Sequence, residues 1–169
     1  MTTYHSTVDS PIGPLLLTSE NGSVTGLHMR PANGGWAIDA SWEQDDARFA
    51  DVRKQLDDYF AGRRTSFDLP LHMRGTPFQK QVWRQLQKIP YGETISYAEL
   101  ARRVGKPGAA RAVGSANGAN PVAVIVPCHR VIAADGTLGG YGGGLSRKEK
   151  LLALEGVESI RKAPVSPTR

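Results

Sequence analysis

Near residue 75 the chain changes its pattern, and that change limits the folds open to it. Before this point short apolar stretches alternate with turn residues: YHSTV, a DSPIG turn, PLLLTS, an ENGS hairpin signal and VTGLHM. That is the punctuation of a small β-rich unit. After a polar loop, RPANGGWAIDASWEQ, the residues Phe49, Val52, Leu56, Tyr59 and Phe60 recur at helical spacing, with Gly62 as C-cap. One helix is therefore expected over one face of the sheet. TSFDLPL adds a short strand, and HMRG is the joint between halves. Beyond it come short helices with start and stop signals. Thr76 and Pro77 open TPFQKQVWRQLQKIP, whose Phe78, Val82 and Leu86 share a stripe ended by Pro90. Ser96 with Glu99 has the capping-box pattern for SYAELARRVG, closed by Gly105, and Ser146 with Glu149 repeats it for SRKEKLLALEG, closed by Gly156. Between them KPG leads into AARAVGSANGAN, so that helix, brief turn and helix follow the helix-turn-helix pattern. The expected organisation is an α/β domain over residues 1–75 and a mostly α domain over 76–157. Residues 158–169 form a tail with too little apolar content to pack.

A chain of 169 residues can bury a real core, as one domain or as two small ones sharing an interface. Its single cysteine cannot close an internal disulfide, and its four histidines are scattered, so neither a structural metal nor a cofactor is expected. MTTYHSTVDSPIG lacks the pattern of a signal peptide, and no apolar run is long enough to cross a bilayer, which favours a cytoplasmic protein without membrane contact. The net charge of +5 is unevenly placed. Residues 1–75 carry seven Lys and Arg against ten Asp and Glu, whereas residues 76–169 carry fourteen against six. A basic half beside a mildly acidic one suits a polyanionic partner, nucleic acid first. A merely soluble basic surface would give the same charge.

Four features could carry chemistry. In VIVPCHRVI an apolar run beginning at Val124 has the look of a strand that Pro127 ends, and the only thiol, Cys128, follows at once. A lone cysteine is more often a small buried hydrophobe than a nucleophile. In an extended chain Cys128 and His129 would point to opposite faces, so they serve one site only if the backbone turns directly after the proline. Glu155 lies in the last turn of the final helix, on the face of Lys148, Leu151 and Leu152, where the helix dipole disfavours a carboxylate. It is either a surface residue tolerating a small penalty or a carboxylate orienting a histidine. In AARAVGSANG the residues Ala109, Ala110, Ala112, Gly114 and Ala116 leave little bulk apart from Arg111. Such a helix suits a tight helix contact or, on DNA, the narrow minor groove. Tyr97 is in register with Leu100 and Ala101, as a core residue would be, and Asn120 before Pro121 fits an Asx turn. GGYGGG has no P-loop or Rossmann frame, and its glycines better suit a backbone closing over a flat ligand beside Tyr141.

Taken together, NPVAVIVPCHRVI, YGETISYAELA, AARAVGSANG, GGYGGGLSRKEKLLALEG and DSPIGPLLL resemble the O6-alkylguanine-DNA alkyltransferases, over residues 4–157. The resemblance implies an RNase H-like α/β N-terminal domain with a three-stranded sheet, and a helical C-terminal domain with a winged-helix-like helix-turn-helix. It implies direct-reversal DNA repair: irreversible transfer of an alkyl group from O6-alkylguanine, with O4-alkylthymine as a further candidate, to Cys128. In that scheme His129 activates Cys128 through a water, Glu155 holds His129, and Asn120 braces the turn before the active-site segment. Tyr97 rotates the target nucleotide and donates toward guanine N3. Arg111 fills the gap left by the flipped base, with Ala109, Ala110, Ala112, Gly114, Ser96 and Lys106 also on the DNA. The carbonyls of Cys128 and Val131 read the guanine amino group, Tyr141, Gly142 and Gly143 face O6, and Trp83 and Ala123 complete the substrate pocket. The implied partner is double-stranded DNA, entered from the minor groove by a monomer, with cooperative binding left open. Two positions depart from the family pattern. Gly142 stands where many members carry Ser, and Ala123 where some carry Pro, which leaves a roomier alkyl pocket. A cysteine hydrolase and a non-catalytic lesion-binding module are the rival readings. The first leaves the basic half unexplained, and the second leaves Cys128 without a task.

Overall fold

The computed structural model describes residues 1–157, so the expectation for the tail, 158–169, lies outside it. Strands β1 (Tyr4–Val8), β2 (Leu15–Glu20) and β3 (Ser23–Met29) form an antiparallel meander, with Tyr4 opposite Ser19 and Leu17 opposite Leu27. The β2–β3 turn places Asn21 at φ +50° and Gly22 at φ +77°, a two-residue turn whose twist matches the strands. The sheet gains a fourth, short member, β4 (Glu43–Gln44), parallel to β1, giving the order β3-β2-β1-β4 rather than three strands. All six residues of β2 are buried, as a strand covered on both faces requires. The strand expected in TSFDLPL shrinks to a single bridge between Leu71 and Val24. Pro70 has no N–H to give a longer ladder, although its carbonyl still accepts from Val24.

A 3-10 turn (Asp46–Phe49) leads into α1 (Ala50–Phe60), and together they bury Phe49, Val52, Leu56 and Tyr59 in the core that also holds Leu15, Leu17 and Leu27. Gly62 at φ +78° ends α1 in a Schellman motif, with Arg63 N bonded to Asp58 O and Gly62 N to Tyr59 O. The second half comprises α2 (Pro77–Leu86), α3 (Tyr97–Arg103), α4 (Ala110–Gly118) and α5 (Leu145–Leu154). A parallel pair, β5 (Ile95–Ser96) and β6 (Val131–Ile132), ties the start of α3 to the chain leaving Cys128. Helix α2 starts with a full capping box: Thr76 Oγ1 accepts from Gln79 N, and Gln79 Oε1 accepts from Thr76 N. Gly75 is obligatory at the joint, because a Cβ there would stand 2.5 Å from the Trp83 ring.

Two expected capping boxes are corrected. Ser96 caps Glu99 N, but the Glu99 carboxylate turns to Arg102 and Arg103, so that box is half formed. Helix α5 begins at Leu145 behind Gly144, which places Ser146 inside the first turn with no cap to make. The strand expected from Val124 is also absent. Residues 121–127 are a turn in which Val126 N bonds to Val122 O and only Val122 pairs with the sheet, against Leu27. Asn120 organises this turn: its Oδ1 accepts from Val122 N and its Nδ2 donates to Val126 O. The turn holds Val124 at φ +71°, a strained conformation for a β-branched residue. One continuous core joins both halves, running from Leu27 and Tyr59 to Val122, Ile125 and Leu151.

Candidate active site

Pro127 is followed by a 3-10 turn, Cys128–Arg130, so the chain does bend directly after the proline. Cys128, 6% exposed, lines a cleft of about 980 Å³, while His129 and Arg130 are buried behind it. Around the cleft stand Tyr97 from α3, Gly114, Asn117 and Gly118 from α4, Asn120 and Ala123 from the turn, and Gly140 to Gly144 before α5. The exit of β3 closes the far side with Met29 and Arg30.

Behind the thiol lies a polar cluster built on Glu155, the residue that ends α5. Glu155 Oε2 is 2.7 Å from His129 Nε2 and accepts from Arg130 Nη2 at 3.0 Å and from Tyr59 Oη at 2.5 Å, while Oε1 accepts from Arg130 Nε at 2.8 Å. Burial alone would raise the Glu155 pKa, but the bonds from His129, Arg130 and Tyr59 override it and hold the carboxyl at about 2. The penalty expected at a helix C-terminus is met by these three side chains. A carboxylate only accepts, so His129 carries its proton on Nε2 and presents an unprotonated Nδ1. Burial pushes the His129 pKa down, against the pull of Glu155 and with the help of Arg130 and Lys148. The imidazole is therefore neutral at rest.

Burial likewise pushes the Cys128 thiol up, with Asn120, Tyr141 and Lys148 drawing it back. No hydrogen bond joins Cys128 to His129 among the described residues. The resting pair is thus a neutral thiol and a neutral imidazole, and not a standing thiolate. Lys148, fully buried, donates to Val131 O at 2.7 Å, Leu138 O at 2.6 Å and Gly140 O at 3.0 Å, and burial brings its pKa down to about 8. It fastens the glycine-rich loop to the segment leaving Cys128. Tyr97 leans on the same loop: its hydroxyl donates to Gly140 O at 3.3 Å, and a Cβ on Gly139 would come within 3.0 Å of its ring.

Among the described residues two buried side-chain atoms, Asn117 Oδ1 and His129 Nδ1, have no hydrogen-bond partner, and the buried Tyr141 hydroxyl has only the Cys128 sulfur beside it, outside ordinary hydrogen-bond geometry. Asn117 and Tyr141 line the cleft with Cys128, and His129 is its neighbour in sequence. Each such atom costs about 1–3 kcal/mol where folding alone is concerned. Their gathering around one thiol marks groups kept for something other than stability.

The other expected site residues are spread over this frame. Arg111, Ala112 and Lys106 are exposed, Ala109, Ala110 and Gly114 are half-buried on α4, and Ser96 caps α3. Gly142 is exposed and Gly143 half-buried, with a position for Cβ on Gly143 only 2.3 Å from the Met29 sulfur. Val131 is buried with its carbonyl held by Lys148, and Cys128 O already accepts from Val131 N and from Asn117 Nδ2 at 3.3 Å. Trp83 is a correction: it is 1% exposed, away from the cleft, and its Nε1 donates to Ala116 O across the α2–α4 contact. An indole on the apolar stripe of a short helix packs in the core, where its N–H needs a carbonyl. Sequence reasoning missed Tyr59, Asn117, Arg130 and Lys148. Signals existed for two of them: Lys148 shares a helix face with Leu151 and Leu152, and Asn117 follows Val113 at helical spacing.

The comparisons with known proteins agree with one another. The family described as 6-O-methylguanine DNA methyltransferase, DNA binding domain, matches residues 77–157, and 6-O-methylguanine DNA methyltransferase, ribonuclease-like domain, matches residues 3–73. A methylated-DNA--protein-cysteine methyltransferase of Mycolicibacterium paratuberculosis is 52% identical over 169 residues, covering 97% of this chain and 96% of that protein. Its counterpart from Mycobacterium leprae is 53% identical over 153 residues, covering 88% and 89%. The crystal structure of Mycobacterium tuberculosis OGT in complex with DNA superposes with a TM-score of 0.84 at 53% identity, over 90% of this chain and 92% of that one.

Proposed function

The chain belongs to the 6-O-methylguanine DNA methyltransferase family, and from that premise we propose that it repairs alkylated DNA by moving the alkyl group of O6-alkylguanine onto Cys128. The observation that carries this reading is a single buried thiol that shares its cleft with Tyr141 and the unpartnered Asn117 Oδ1 and is followed directly by His129, whose Nδ1 is also unpartnered.

The O6 position is hidden inside a duplex, so the nucleotide must leave the stack before sulfur can approach the alkyl carbon in line. The exposed residues of α4 enter the minor groove, and Arg111 takes the space of the departed base, offsetting an unstacking cost of a few kcal/mol. In this reading α3 and α4 form the helix-turn-helix, the N-terminal half takes an RNase H-like form, and the protein docks as a monomer. The flipped guanine enters the cleft beside Tyr97 and Asn117. Asn120 braces the turn, the carbonyls of Cys128 and Val131 share their lone pairs with the guanine amino group, and Tyr141 with the backbone of Gly142 and Gly143 faces O6.

Chemistry then follows from the charges. His129 Nδ1 takes the Cys128 proton through a water, and the imidazolium so formed is stabilised by Glu155. The S–C bond forms as the C–O6 bond breaks, and Tyr97 donates toward N3 as the guanine anion leaves. The product is a thioether, which has no easy hydrolytic exit, so each molecule acts once.

Intact-mass measurement after exposure to duplex containing O6-methylguanine tests the reading. One methyl per protein, located at Cys128 and reached in a single burst, is expected. Continued turnover would favour a cysteine hydrolase, and an unmodified protein that still binds the lesion would favour a sensing module. Cys128→Ala should keep DNA affinity within about threefold and abolish methyl loss from the DNA, a difference of binding from chemistry.

A further inference from the structure

Of the donors on Glu155, one comes from the other half of the chain. Tyr59 lies on the buried face of α1, is 0% exposed, and donates to Glu155 Oε2 at 2.5 Å across 96 positions of sequence. That same oxygen is 2.7 Å from His129 Nε2 and accepts from Arg130 Nη2 at 3.0 Å. Oε2 therefore serves three donors, and density given to one is withheld from the others. The phenol can only donate here, since burial and the nearby carboxylate hold its proton far above the ordinary tyrosine range. Its ring cannot swing away: Phe60 and Tyr91 meet it edge-on at centroid distances of 5.1 and 6.3 Å, and Phe67 at 5.3 Å. Arg130 is anchored independently, donating to Ile89 O at 2.7 Å.

We propose that Tyr59 is a positioning residue for the transfer to Cys128: its phenol tempers Glu155 Oε2, so that His129 rests neutral with Nδ1 open to a proton. The inference rests on the reading of Cys128 as alkyl acceptor, and it gives the N-terminal half a part in the chemistry. The groups acting on His129 are Glu155 at the end of α5, Lys148 on α5 and Arg130 on its own turn, with Tyr59 from α1 acting through Glu155. Among the charged groups Glu155 favours the imidazolium, while Arg130 and Lys148 oppose it. Removing the Tyr59 donor frees a lone pair on Oε2 and strengthens the hold of Glu155 on the imidazolium. His129 then stays protonated to higher pH and cannot accept the thiol proton.

Tyr59→Phe keeps the ring and deletes the donor. The measurement is the single-turnover rate of methyl transfer against pH at saturating DNA. The acid limb should move up by about one pH unit, giving roughly tenfold slower transfer on its acid side and the parent rate at alkaline pH. Incorporating 3-fluorotyrosine at position 59 strengthens the donor without removing it, and should move the limb the opposite way. That second variant answers the question even if Tyr59→Phe folds poorly. An unmoved limb in the fluorinated protein, or an equal loss at every pH in Tyr59→Phe, overturns the proposal. A parent protein that takes no methyl at Cys128 would refute the transferase reading itself. A parent that takes it, with limbs unmoved, refutes only the role of Tyr59.

Discussion

Glu155 ends a helix where the dipole is unfavourable, yet side chains alone satisfy its buried carboxylate. Tyr59, His129 and Arg130 supply four contacts to its two oxygens. Its ionisation fixes the tautomer of His129, and so one side chain decides which imidazole nitrogen is left to work. Gly142 illustrates the opposite case, a residue with room to spare. A Cβ there would meet nothing nearer than Gly118 O at 3.9 Å. Gly142→Ser should therefore leave stability within about 0.5 kcal/mol. The added hydroxyl, aimed at the charge developing on O6, should speed methyl transfer by roughly threefold or more. Single-turnover kinetics beside a thermal melt would check both, and an unchanged rate would place O6 elsewhere in the cleft.

The helices differ in how firmly their starts are tied down. Thr76 makes both halves of a capping box, so Thr76→Ala should cost about 1 kcal/mol in denaturant unfolding. Ser146 belongs to the same pattern in sequence but makes no cap bond, and Ser146→Ala should cost less than about 0.5 kcal/mol. Equal losses would mean that α5 starts two residues later than described, at Arg147. The stops were legible for a simple reason: Gly62, Gly105 and Gly156, at φ +78°, +77° and +78°, each close a Schellman motif that almost no other residue can enter. The 121–127 turn was not legible, because its apolar residues suit a strand and the Asn120 side chain overrides them with two bonds of its own.

Across the whole molecule, the polar cluster is also a clasp between halves. The Glu155 carboxyl titrates near 2 in the folded protein against about 4.5 for a free glutamate. The folded state thus binds fewer protons than the unfolded chain in that interval, and the associated stability is complete above pH 4.5 and lost as pH falls toward 2. For this fully buried group the loss is about 3 kcal/mol. His129, also depressed, acts in the same direction once pH drops below 6.5. Denaturant unfolding followed from pH 7 to pH 3 should show stability falling throughout and most steeply below 4.5. Glu155→Gln should flatten the lower part of that curve while lowering the plateau. A parent curve flat below 4.5 would mean that the cluster contributes little to joining the halves. The charge division, acidic to residue 75 and basic beyond, has a separate consequence: DNA affinity should fall steeply with added salt.

Local demands write themselves into local residues, which is why the Asn21–Gly22 hairpin, the Thr76 and Pro77 helix start and the glycine stops were readable along the chain. A backbone that needs positive φ, or a helix end with orphan N–H groups, can be satisfied only by a few residue types close by. The motif around Cys128 was readable as a likeness, and the need for a sharp bend after Pro127 followed from strand geometry. The packing of Trp83 against α4, the three carbonyls held by Lys148 and the bond from Tyr59 to Glu155 had no such signature. Each joins groups far apart in sequence, and a side chain's partner across the core is set by how whole elements pack, since burial rewards any donor that reaches an acceptor and leaves no trace in the neighbouring residues.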